Sequence, residues 1–182
     1  MSGSNGVPTV WNMANGEKGD QLPHLNSKQP FPPEPGSDGW IAMGWPGVGD
    51  MRIWDNDHGN YSDKFRLIYP QSADLRVGMP WQFAFSMRIG DLVVCPCSSA
   101  RVLLVGCVIG NYEYGGHIEF ERSHKLRFDF VHFRPVRWSH SIPSSDPLYG
   151  MLNRVGLLTL SRSKKTSVQL HGILNQAHDP VL

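Results

Sequence analysis

The sequence predicts an α+β domain: a small, curved, barrel-like mixed sheet of about six strands flanked by short helices. Three observations lead there. Short runs rich in Val, Leu and Ile recur between clusters of Gly, Pro and Ser, the pattern of strands bounded by turns. Stretches with helical spacing are few and short, and long polar loops separate the runs. At 182 residues the chain suffices for one domain with a full core, so a single domain over 7–176 is expected, with 1–6 and 177–182 as tails.

The organising stretch is 87–114. Its apolar runs, 92–95 and 102–109, read as a buried β-pair joined by a turn over 96–100. Gly90-Asp91 suits a tight turn, because Gly tolerates positive φ and Asp accepts hydrogen bonds from nearby backbone amides. After the second run, Gly110-Asn111-Tyr112-Glu113-Tyr114 turns outward and sets two aromatic rings just past a strand end. There they either line a ligand surface or cap the core.

The remaining elements follow in order. Residues 7–14 alternate as a first strand carrying Trp11, and 15–20 read as a turn. Between 21 and 39 lie five prolines, which no helix or central strand sustains, so a surface loop is expected. Residues 40–45 form a compact apolar strand ending in Pro46-Gly47-Val48-Gly49-Asp50, where glycines let the backbone approach a neighbour or a flat ligand. A polar loop is expected over 55–63. Spacing in 81–87 fits helix and strand alike, and Trp81, Phe85 and Arg88 would share a helical face. An insertion is expected at 115–125. A strand over 126–138, broken or bulged at Pro135, follows. Ser145 or Asp146 would cap a short helix at 148–153. A last strand at 157–160 and a terminal helix at 167–176 complete the chain, the helix with apolar Val168, Leu170, Ile173 and Leu174.

The net charge of +1 makes no general case for nucleic acid, but its distribution is uneven. Residues 1–80 hold six Lys/Arg against nine Asp/Glu, and 81–182 hold eleven against seven. A basic half of this kind faces phosphates or plain solvent. Cys95 and Cys97 would share a face only in regular strand, against which Pro96 argues; with Cys107 they read as buried, reduced thiols of a cytoplasmic protein, and no zinc spacing follows. No apolar stretch approaches membrane-span length.

Enzyme signatures are missing: no phosphate-binding Gly-Lys loop, no zinc-protease His-Glu pair, no nucleophile elbow. Asp55, Asp57 and Asp63 cluster without a matching lysine and read as a solvated loop rather than a magnesium site. No metal or other cofactor is therefore expected. An excess of aromatic residues at turn positions remains. Trp11 and Trp138 default to core; Trp45, Trp81 and Tyr112 stand as candidates for stacking on a flat ring.

Several elements in this order resemble a known family. They are Trp11 with Asn15-Gly16-Glu17-Lys18-Gly19, Ile41-Ala42-Met43-Gly44-Trp45, Arg88-Ile89-Gly90-Asp91-Leu92-Val93-Val94, Val105-Gly106-Cys107-Val108-Ile109-Gly110-Asn111-Tyr112-Glu113-Tyr114, and His132-Phe133-Arg134-Pro135-Val136-Arg137-Trp138. Together they resemble the PUA-like modules related to EVE and YTH domains, in the version found at the N-termini of Mrr- and McrBC-like modification-dependent restriction proteins. The resemblance spans Trp11 to about Leu160. It implies a small barrel-like sheet and a non-catalytic module that takes a modified base, flipped out of DNA, into an aromatic cage.

Carried over by position, Trp45 would be one cage wall, Asp50 would bond the base edge and Tyr112 would close the pocket. Trp81, Asn111 and Tyr114 complete the candidate base-binding set. Arg88, Arg134, Arg137, Lys164 and Lys165 are candidates for phosphate contact. The Pro-rich loop and the 115–125 insertion exceed the compact family core and would reshape the pocket rim. With no nuclease or motor following, the expected role is recognition in prokaryotic defence beside a separately encoded effector. RNA binding, or sensing of a free nucleotide, are the alternatives.

Overall fold

The computed structural model describes residues 7–13, 32–55, 57–72, 76–97, 100–115, 130–152 and 160–176. Seven strands form one mixed sheet that curls into a half-barrel: β1 (Val10–Met13), β2 (Asp38–Met43), β3 (Leu92–Cys97), β4 (Val102–Val108), β5 (Glu113–Tyr114), β6 (His132–Pro143) and β7 (Leu160–Arg162). The order is β2-β6-β4-β3-β1-β7, with β5 pairing β6. Among the described strands only β1 and β3 pair in parallel. Helices α1 (His58–Ile68), α2 (Gly78–Trp81), α3 (Pro147–Leu152) and α4 (Ser167–Gln176) flank the sheet. The expected α+β, barrel-like architecture is what the chain adopts.

Both sheet faces are buried, which is why β3 and β4 read as continuous apolar runs rather than as an alternation. One face packs Trp11, Val93, Cys95, Leu104, Val136 and Trp138 against Tyr61, Phe65 and Phe83 from the helical side. The other packs Val10, Val94, Leu103 and Ile142 against Leu152, Leu170 and Leu174. Successive strand residues thus serve opposite cores. Trp138 fits because its neighbours are glycines: a Cβ on Gly106 would lie 2.9 Å from the Arg137 carbonyl oxygen and from the Trp138 ring.

Several local expectations are met. Gly90 has φ +92°, and the Asp91 carboxylate accepts from Thr9 N–H (2.8 Å), Trp11 Nε1–H (2.8 Å) and Arg88 N–H (3.0 Å). Asp146 caps α3 through Leu148 N–H. Helix α4 has the expected bounds and opens with a reciprocal cap, Thr166 with Gln169. Trp11 and Trp138 are core residues.

Others are corrected. The polar stretch at 55–63 is largely helix α1, N-capped by Asp57 through Asn60 N–H, with Tyr61 and Phe65 as its buried face. Pro96 does not end β3; it pairs with Leu103 where β1 has already left the strand's other edge. Pro135 likewise stays in register opposite Trp40, and the bulge lies at Val105/Gly106. Val168 is exposed rather than packed. The segments 14–31 and 116–129, with most of the Pro-rich loop and the insertion, lie outside the described residues.

Candidate functional site

The strand β2 ends at Met43, and two residues later Trp45 holds φ +68°, ψ 56°. This left-handed conformation costs a bulky side chain of order 1–2 kcal/mol. It persists because the turn after it is pinned on several sides. Gly47 N–H donates to Tyr69 Oη (2.9 Å), and a Cβ there would lie 2.8 Å from Ile68 Cγ2. Trp54 Nε1–H donates to Val48 O (3.0 Å). The Trp45 indole, half-buried, lies on Phe65 with ring centroids 6.1 Å apart.

A buried hydrogen-bond chain fixes the Trp45 carbonyl from below. Met51 N–H donates to Tyr112 Oη (3.2 Å), whose own hydrogen goes to His132 Nδ1 (2.7 Å), and His132 Nε2–H donates to Trp45 O (3.3 Å). Each polar atom has one role only if His132 is neutral with its proton on Nε2. Burial keeps it so, pushing its pKa down to about 4. The unfolded chain takes up that proton near pH 6.5, the folded one only near 4, so stability falls as pH drops through this interval and is flat above it. Urea unfolding at pH 7.5 and pH 5 is expected to differ by about 2 kcal/mol from this group. The difference should shrink by that amount in His132→Gln.

The candidate base-binding residues are not gathered as one cage. Tyr112 is buried and serves the chain just described. Burial raises its pKa, so the hydroxyl keeps its hydrogen. Asp50 caps the next turn and pairs with Arg52, whose guanidinium holds the carboxyl below its usual range. Trp81 packs against Phe85 (4.5 Å) and Tyr61 (5.4 Å) at tilted angles and meets His58 (4.7 Å) edge-on. Trp45 contacts Phe65 and Trp81 contacts Tyr61, so the two tryptophans pack on different members of the aromatic row of α1. Tyr114 is half-buried beside His132, and Asn111 is exposed.

The phosphate candidates also divide. Arg134 is a correction: it is buried and donates to the carbonyls of Phe83 (2.7 Å), Ala84 (2.7 Å) and Gly110 (3.2 Å). The first two belong to the π-helical turn Gln82–Ser86 that continues α2, whose last carbonyls lack helical partners. Burial lowers the Arg134 pKa to about 10, so it remains a cation at neutral pH. Arg137 is exposed and forms a forked pair with Asp38 (2.7 and 3.2 Å). Arg88, Lys164 and Lys165 line clefts, and Arg162, which the sequence reading passed over, lies between them. Asp55 and Asp63 are exposed, and no three acidic, His or Cys side chains group as metal ligands among the described residues.

Residues 24–160 match a family described as a domain of unknown function, DUF8426. The chain belongs to the DUF8426 family. No curated protein and no solved structure matches it. The DUF8426 match runs from before β2 to the start of β7, and so takes in Trp45, Tyr112, His132 and the whole hydrogen-bond chain between them. No helix among the described residues is long and apolar enough to cross a membrane.

His132 is the residue that sequence reasoning undervalued most. Nothing local names a tyrosine 20 residues away or a carbonyl 87 residues away as its partners. The aromatic helix α1 did carry a signal, Tyr61, Phe65 and Tyr69 at four-residue spacing, behind a polar first turn.

Proposed function

We propose that this DUF8426 domain is a non-catalytic nucleic-acid-binding module that reads a modified base, flipped from the strand and stacked on Trp45, in defence against foreign DNA. A separately encoded effector supplies any cleavage. The observation that carries the reading is the left-handed backbone of Trp45. A bulky residue kept in a costly conformation by a dedicated buried network is a mark of function rather than of packing. Glycine at the same place would relieve the strain and lose the ring.

The physical logic is consistent with that surface. A methyl group on a base offers no hydrogen bond, so an aromatic face that gains from added apolar contact is a suitable detector. Tyr112 and His132 are positioning residues, holding the Trp45 carbonyl while the half-buried indole keeps its outer part accessible. Asn111 and Tyr114 border the same strand end and are the nearest candidates for contact with the base edge.

The test is binding to matched oligonucleotides carrying plain adenine and cytosine, N6-methyladenine, 5-methylcytosine or 5-hydroxymethylcytosine. One modification is expected to bind more tightly by about 1–3 kcal/mol. Trp45→Ala should remove that preference with an unchanged circular dichroism spectrum, and Trp45→Phe should restore part of it. Equal binding of all oligonucleotides by the native domain would sink the reading. Preference for RNA regardless of modification, or a rise in melting temperature with free nucleotide alone, would replace it.

A further inference from the structure

We propose that the clefts around Arg162 form a groove for the backbone of a single-stranded nucleic acid, so that the domain takes its base from an unpaired strand. This rests on the base-reading function above for its purpose, but on separate residues for its chemistry.

Three clefts of about 410, 520 and 450 Å³ border the edge strand β7, the first two on the side of the Trp11 core and the third on the side of Val10 and Val94. The first lies between the N-terminal segment and the turn after the π-helical stretch, with Phe85, Arg88 and Arg162 in its walls. The second shares Ser86 and Arg162 with it and adds Gln82. The third shares Ser161 and Arg162 with the second and continues to Lys164, Lys165 and Gln169. Arg162 borders all three, its guanidinium 5.2 Å from the Trp11 ring centroid.

The cations of these clefts have no carboxylate partner among the described residues. Arg52, Arg66 and Arg137 each pair with a carboxylate, and Arg134 is consumed by three carbonyls. Among the described residues, no ion pair engages Arg88, Arg162, Lys164 or Lys165. Among the described residues the one acid bordering the clefts, Asp91, is buried and accepts from the Thr9 and Arg88 backbone N–H groups and the Trp11 indole N–H. Among the described residues, four cations without a carboxylate partner border these clefts on both sides of β7, and they fit a polyanion that crosses the strand edge at Arg162.

The concavity favours one strand over two. A duplex is stiff and presents its phosphates on a convex outer surface, whereas a single strand is flexible enough to enter a recess. A basic groove with an aromatic wall is the usual form of single-strand binding, and Phe85, backed by Trp81 at 4.5 Å, supplies that wall. An unpaired strand also spares the cost of unpairing the base that Trp45 would receive.

Fluorescence anisotropy with an oligo-dT of about 12 nucleotides, within the usual site sizes, tests this against the same length of duplex and against thymidine monophosphate. Between about 50 and 200 mM salt the single strand is expected to bind more tightly than the duplex, with a steep salt dependence. Arg162→Gln should reduce the slope of log affinity against log salt by about 0.7, and Lys164→Gln with Lys165→Gln by roughly twice that. Arg137→Gln, whose charge is already paired, should leave it unchanged. The lysine variants guard against a folding effect at Arg162.

Tighter duplex binding, slopes unchanged in the cleft variants, or equal competition by the mononucleotide would overturn the groove. If those slopes fall as stated while no oligonucleotide modification changes affinity, the groove stands and the base-reading function fails. Loss of modification preference in Trp45→Ala with the salt slope intact supports both.

Discussion

Arg134→Met is expected to destabilise the domain by about 3–5 kcal/mol, because three carbonyls lose a charged donor and each buried polar group left unsatisfied costs about 1–3 kcal/mol. The guanidinium closes the π-helical turn by donating to Phe83 and Ala84 carbonyls and holds the Gly110 carbonyl at the start of the Tyr112 loop. Methionine fills the aliphatic volume but leaves three carbonyls without that donor. For a chain of this size the melting temperature should drop by roughly 10 °C. Arg134→Lys should recover only part of the loss, because a single ammonium cannot reproduce the guanidinium's fixed fork. A melting temperature unchanged in Arg134→Met would show that the carbonyls find other donors. The same variant, where folded, should keep its salt slope for oligonucleotides, which separates Arg134 from the cations of the clefts.

Asp91→Ala is expected to cost about 3 kcal/mol or more, since a buried carboxylate that accepts three N–H bonds is worth more than one neutral hydrogen bond. Its partners lie far apart in sequence: Thr9 and Trp11 in and before β1, Arg88 in the turn before β3. Removing it therefore loosens the parallel β1–β3 contact, whose two strands no hairpin joins. Asp91→Asn should lie between Ala and the native residue, because its amide keeps one acceptor oxygen but turns a donor toward donors. Equilibrium urea unfolding followed by tryptophan fluorescence reads this directly. Trp11 loses its indole partner in Asp91→Ala, so its emission should change in the folded baseline as well. An Ala variant as stable as native would mean that Asp91 shapes the turn without carrying the sheet.

What was readable in the chain was what neighbours decide. Gly90-Asp91, the cap at Asp146 and the helix at 167–176 each follow from residues within a turn or two of one another. The paired apolar runs of β3 and β4 were readable for a related reason, since a strand buried on both faces needs apolar residues throughout. Helix α1 is hidden in the sequence because His58, Gly59 and Asn60 resemble a loop, and Asp57, the cap that starts the helix, looks like one more acid of the polar stretch. Pro96 and Pro135 were read as breaks. Both are tolerated because their neighbours place the missing N–H where no ladder bond is needed.

The candidate site divides along the same line. Sequence alone determined a curved α+β domain, its central β-pair, and Trp45 as the residue to watch at the mouth of a glycine-rich turn. Tertiary structure alone decided what Trp45 is attached to. Its strained backbone is held by His132, itself held by Tyr112, across separations of 87 and 20 residues. It decided equally that Arg134 closes a helix while Arg162 borders three clefts. The physical reason is that a charge or a ring looks the same in a sequence whether spent or available. Whether an arginine meets a carbonyl, a carboxylate or open space depends on chain segments that only folding brings beside it.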